Sequence, residues 1–108
     1  MGMQSMAFIE IKKYVLAQYS GASATGLIYL YDGQNKHIGN AYFIREENSL
    51  PMPKQDASGF VALYFYDNAF AFVVDLLRNE KPCYLAWYGS SGAIVTSAEA
   101  VGEGDLPA

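Results

Sequence analysis

The segment from Asp67 to Glu80 constrains this chain most, because its helical pattern is apolar around too much of its circumference. A surface helix shows one apolar stripe roughly 100° wide. Here Phe70, Val73, Val74 and Leu77 recur at helical spacing, and Ala69, Phe72 and Leu76 form a second stripe beside them. The polar line is narrow, running through Asn68, Asp75, Arg78 and Asn79. The pattern predicts a long apolar helix over about 67–80, covered by its own sheet on one side and by a second body on the other. Asp67 is the expected N-cap, and Pro82 is the expected stop.

Composition sets the frame around that helix. The chain has 108 residues, 52% hydrophobic and 17% charged. It is read as a single domain, 1–108, with a core of its own. The tails 1–6 and 99–108 are expected to fray, and three Met in the first six residues fit an upstream start. A net charge of −4 disfavours phosphate-rich partners and anionic membranes. There is neither a transmembrane run nor a signal-peptide pattern, and Cys83 is the only cysteine. The expected address is cytoplasmic.

The remaining elements read as strands. Residues 7–19 are extended in character, most firmly over 13–19. Leu27–Tyr31 and His37–Ile44 flank turn residues at 32–35, which predicts a hairpin. A four-residue loop there would set Tyr31 opposite Lys36, Leu30 opposite His37 and Tyr29 opposite Ile38. Gly39 marks a bulge or a close backbone approach. Residues 45–59 form a long loop, with Pro51 and Pro53 opposing any ladder and Leu50 and Met52 as its candidate anchors. The run 60–66 is apolar without alternation, as in a strand covered on both faces. Cys83–Tyr88 and Ala93–Ser97 form a second hairpin, with Tyr88 opposite Ala93 and Trp87 opposite Ile94. The fold class is therefore α+β, with a mostly antiparallel sheet or partly closed barrel of about six strands in the order β-β-β-β-α-β-β.

No motif carries catalysis, metal or nucleotide binding. His37 and Cys83 are the one nucleophile–base pair available, and nothing in the sequence places them together. Glu46, Glu47 and Asp56 read as a solvated acidic loop, and the glycines at 21–26 and 89–92 close hairpins without a following helix. No catalytic residue, metal site or cofactor is expected. Tyr29 and Tyr31 share a strand face, with Tyr42 on the neighbouring strand, and such aromatics can form a platform for bases. The order of four strands followed by a helix resembles that of the transcriptional-coactivator type of single-strand DNA-binding domain, and the resemblance implies a helix-packed dimer.

The leading expectation is a binding or assembly module that forms a homodimer through Ala69, Phe72 and Leu76. One alternative is a single-strand nucleic-acid binder using Tyr29, Tyr31 and Tyr42 with Lys12, Lys13 and Lys36. The other is a small-molecule-binding domain or enzyme with its pocket under loop 45–59.

Overall fold

Lys12 divides the N-terminal extended segment between two sheets. The computed structural model describes residues 7–21 and 24–98, so the expected tails lie outside the described residues. Strand β1 (Ala7–Ile11) joins a three-stranded antiparallel sheet with β7 (Cys83–Trp87) and β8 (Gly92–Thr96), in the order β1-β7-β8. Strand β2 (Lys13–Gln18) begins a five-stranded sheet with β3 (Ala24–Tyr31), β4 (His37–Ile44), β6 (Val61–Tyr66) and the two-residue β5 (Lys54–Gln55). Its order is β2-β3-β4-β6-β5.

The fold is α+β with two mostly antiparallel sheets and is not a closed barrel. Three expectations need correction. There are eight strands among the described residues, not six, because 7–19 breaks at Lys12 and β5 forms inside loop 45–59. The helix is short. Asp67–Ala69 is a 3₁₀ turn, and α1 spans only Phe70–Asn79. Asp67 opens that turn instead of capping α1, and Ala69 stands at the helix N-cap with no side-chain cap bond. At the other end Glu80 is already extended (φ −103°, ψ 145°) ahead of the cis Lys81–Pro82 bond. The third correction concerns element order. Six strands precede the helix, so the four-strands-then-helix resemblance does not hold.

One pairing is parallel. β4 and β6 run side by side with Tyr42 opposite Tyr64, because residues 45–60 carry the chain back before β6 begins. Parallel neighbours require such a crossover, commonly a helix, and here irregular chain with β5 supplies it. Leu50 and Met52 do not anchor this segment: they are 38% and 75% exposed.

The core lies between one face of the five-stranded sheet and a second layer. Ile28, Leu30, Ala41, Phe43, Val61 and Leu63 come from that sheet, while Val73 and Val74 of α1 and Cys83, Leu85 and Trp87 of β7 meet them. The first helical stripe is thus core: Val73 and Val74 are buried, and Phe70 and Leu77 pack against the same cluster. Phe70 meets Phe43 edge-on at 5.0 Å. Gly39 is crowded from both directions: an added Cβ would stand 2.6 Å from the carbonyl oxygen of Val61 on the neighbouring strand and 2.8 Å from Leu85 Cδ2 of the other layer. No helix among the described residues is long and apolar enough to cross a membrane.

Candidate interaction face

The opposite face of the five-stranded sheet follows from strand alternation. Lys13, Val15 and Ala17 on β2 stand beside Tyr31, Tyr29 and Leu27 on β3. Tyr29 and Leu27 in turn stand beside Asn40 and Tyr42 on β4. Asn40, Tyr42 and Ile44 then meet Ala62, Tyr64 and Tyr66 on β6, and Lys54 of β5 pairs with Ala62. Tyr19 joins just past β2, its hydroxyl 3.1 Å from that of Tyr29. That hydrogen bond is the main cause that raises the Tyr19 phenol above the ordinary tyrosine value.

His37 reaches this face only because of a β-bulge. Leu30 pairs with Gly39 but Tyr31 with His37, so Ile38 is an extra residue on β4. A bulge of this kind shifts the side chains beyond it to the other face. Ile38 therefore enters the core at 4% exposure, and His37 stacks on Tyr31 at 5.0 Å and meets Tyr29 edge-on at 5.5 Å. The predicted register, with Tyr31 opposite Lys36, Leu30 opposite His37 and Tyr29 opposite Ile38, is wrong: the turn already sets Tyr31 opposite His37, and the bulge adds a second residue of offset. The second hairpin also differs: Trp87 faces Gly92 and Leu85 faces Ile94, because Gly89, at φ 97°, allows a tight turn that starts at Tyr88.

A short polar chain crosses the face. His37 Nε2 lies 2.6 Å from Asn40 Oδ1, and the Asn40 amide donates to the Tyr42 hydroxyl at 3.1 Å. Asn40 is the one buried polar side chain among the described residues, at 7% exposure, and both ends of its amide are engaged, as burial requires. Lys13 bonds to Asn35 Oδ1 and holds its ammonium 4.7 Å from the Tyr31 ring centre.

The rings are stacked against one another. Tyr42 and Tyr64 lie 5.0 Å apart at 14° between planes, and Tyr31 and His37 at 24°. Tyr31 is flanked by Lys13 of β2 on one side and His37 of β4 on the other. A base-stacking platform needs a free ring face. Here Lys13 and His37 lie against the Tyr31 ring, and Tyr42 and Tyr64 each lose one face to the other.

Tyr29, Tyr31 and Tyr42 do come together, all half-buried, and the sequence reasoning missed Tyr19, Tyr64, Tyr66, His37 and Asn40. A signal for β6 was present. Val61, Leu63 and Phe65 alternate with Ala62, Tyr64 and Tyr66, but counting Tyr as merely apolar hides the period of two. The expectation that both faces of this strand are covered fails, since Tyr64 and Tyr66 stay half-exposed. On the helix, Ala69 packs against the core, Leu76 is half-buried and Phe72 is 67% exposed.

Against models of known protein families, curated proteins and solved structures, the chain shows no match.

The other candidates are held apart. Cys83 is 4% exposed and its thiol donates to the carbonyls of Leu76 and Glu80 at 3.3 Å, whereas His37 bonds to Asn40. Burial raises the Cys83 thiol above its ordinary value, and Glu80 adds to this. Asp56 is held below the carboxylate range chiefly by Ser58, closing a turn with the backbone N–H of Ser58 and Phe60. At the end of loop 45–59, a cavity of about 110 Å³ is lined by His37, Ser58, Gly59 and Phe60, below the roughly 300 Å³ at which ligand pockets begin. No group of three His, Cys, Asp or Glu among the described residues is placed to hold a metal ion.

Proposed function

We propose that this protein is a small binding and assembly module whose tyrosine face packs on the same face of a second copy. The observation that carries this reading is a sheet face of half-buried tyrosines over buried Leu27, Asn40 and Ile44, with no carboxylate among its described residues. The solvated face of an antiparallel sheet ordinarily alternates to polar and charged residues. This one carries Val15, Ala17, Leu27, Ile44 and Ala62 between its tyrosines, with Lys13 and Lys54 near its margins. Enrichment in tyrosine and depletion of charge at the centre is the composition of protein interfaces.

Charge and area support a second copy as the occupant. The carboxylates of the described residues lie elsewhere, with Glu46 and Glu47 exposed in the loop past β4. Asp67, Asp75 and Glu80 belong to the helical segment, Glu10 pairs with Lys12 at 3.6 Å, and Asp32 and Asp56 accept backbone N–H groups in turns. Two such faces therefore meet with no buried carboxylate. Four strands at ~4.8 Å spacing and six residues at ~3.3 Å give a plane of about 20 by 20 Å. Corrugated side chains expose more than their projection, so two copies bury close to the ~1,000 Å² at which specific interfaces begin.

The test is the native mass of the full chain, by sedimentation equilibrium, for the wild type and for Val15→Asp with Tyr64→Asp. The expected result is a wild-type assembly of 11.9 kDa subunits and a folded double variant of lower mass, because it has lost the tyrosine-face contact. A wild type that stays monomeric when concentrated overturns the reading, as does a double variant that keeps the wild-type mass. A second reading, dimerisation through the helix, has the 67% exposure of Phe72 in its favour. Phe72→Asp leaves the dimer intact if the sheet face is the interface and dissociates it if the helix is.

A further inference from the structure

The three-stranded sheet has an edge of a different kind. Strand β8 pairs with β7 on one side, and none of the described strands pairs with its other side. The Tyr88 N–H donates to the Ser91 carbonyl at 2.8 Å, which sets the phase of the ladder. In an antiparallel pair, hydrogen-bonded and non-hydrogen-bonded positions alternate. From that phase, Ala93 and Val95 direct their backbone groups to β7, and Gly92, Ile94 and Thr96 direct theirs outward. The outer edge is thus a row of three donors and three acceptors, which only an extended main chain can satisfy together.

Exposed edges are normally protected by charge, proline, a bulge or extreme shortness. β5 is two residues long, begins with Lys54 and follows Pro51 and Pro53. β2 begins with Lys13, and β1 carries Glu10. β8 is Gly-Ala-Ile-Val-Thr, followed by Ser97 and Ala98. It has neither charge nor proline, and its register with β7 is regular over five consecutive pairs.

We propose that the outer edge of β8 pairs antiparallel with β8 of a second copy, joining two three-stranded sheets into one of six strands. A two-fold axis at Ile94 satisfies the pairing. The backbone N–H and C=O of Ile94 meet those of the second Ile94, Gly92 lies opposite Thr96, and Ala93 lies opposite Val95. Small and β-branched residues then face each other across the new pair, with no like charges opposed. On the core side Ile94 packs against the buried cluster and Gly92 sits beneath Leu63 Cδ2, so the edge is held flat by its own layer. This contact lies in the layer opposite the tyrosine face and does not depend on it. With both contacts made, the assembly exceeds a dimer.

The experiment is amide hydrogen exchange on the full chain, read at Ile94 and Thr96 from dilute to concentrated protein. The expected result is exchange at these two amides slowed at least about tenfold by concentration, since pairing rises by mass action. Val95→Lys adds the missing charge on the face away from the core and returns both amides to fast exchange. Ala93→Lys in the same row does so if Val95→Lys fails to fold. Val15→Asp with Tyr64→Asp leaves the protection in place, which separates this contact from the tyrosine face. Fast exchange at every concentration overturns the proposal. So does protection that survives the lysine variants or vanishes with the tyrosine-face variant.

Discussion

Replacing Gly39 with alanine tests how closely β4 is held against β6 in its own sheet and against β7 in the other layer. A Cβ at this position would stand 2.6 Å from the carbonyl oxygen of Val61 and 2.8 Å from Leu85 Cδ2. Ordinary carbon–oxygen contact is reached near 3.3 Å even for weak C–H···O approaches, so the overlap with Val61 is about 0.7 Å. Leu85 can turn its methyl aside, but it is 1% exposed and its neighbours are packed. The Val61 carbonyl is backbone, held by the β4–β6 pairing itself, and it yields only if those strands separate. Overpacking of this kind costs about 1–3 kcal/mol, and the backbone contact places Gly39→Ala in the upper half of that range. In a domain of this size each kcal/mol shifts Tm by roughly 4–8 °C, so a loss of about 8 °C or more is expected by calorimetry. Gly33→Ala is the control, because the nearest atom to its added Cβ is Lys12 Cγ at 3.5 Å. That change should stay within about 0.5 kcal/mol of wild type. If Gly39→Ala melts no lower than Gly33→Ala, Gly39 is not held against the Val61 backbone and Leu85 as described.

Asn40→Ala leaves His37 and Tyr42 without their shared partner, and chemical denaturation should show a loss of about 1–3 kcal/mol. The Cys83 thiol should react with alkylating reagents only as fast as the chain opens, and rapid native labelling would contradict its burial. Because its folded pKa is raised, stability is fully present below the ordinary thiol pKa and falls as pH rises through it, when the unfolded chain ionises first. Cys83→Ala should lack that alkaline slope. Asp56 has the opposite sign: its lowered pKa holds the 56–60 turn at neutral pH and releases it on strong acidification, so the protection of the Phe60 amide, relative to an unstructured amide at the same pH, should fall at low pH in the wild type, while in Asp56→Ala it should be low at every pH.

The hairpins and the core stripe of the helix were legible because local chemistry sets them. Asp32 accepts the N–H groups of Gln34 and Lys36, and Asn35 takes the left-handed conformation (φ 65°) that closes the β3–β4 turn. Phe70, Val73, Val74 and Leu77 meet the core as their spacing requires. What was not legible is non-local. Nothing in residues 45–59 announces a crossover to a parallel partner, because no helix marks the return. The break at Lys12 looks like ordinary strand until β1 finds β7 and β2 finds β3. The helix keeps Phe72 largely exposed, and the sheet face is hidden in the sequence because its tyrosines count as hydrophobic.

The bulge at Ile38 links the core to the proposed interface. In a regular strand, residues 38, 40, 42 and 44 would share one face and 37 and 39 the other. Ile38 would then stand among the tyrosines, and His37 would be driven into the core beside Leu30, where an imidazole without a partner is costly to bury. One extra residue reverses both placements. Ile38 fills the core at 4% exposure, and His37 gains Asn40, Tyr31 and Tyr29 on the opposite face. Gly39, the next residue, must approach β6 so closely that no side chain fits, which keeps the bulge at this point of the strand. The same three residues thus seal the layer beneath the sheet and complete the aromatic surface above it. A change at Gly39 that loosens the core should therefore also disturb the tyrosine face, although that residue contributes no side chain to it.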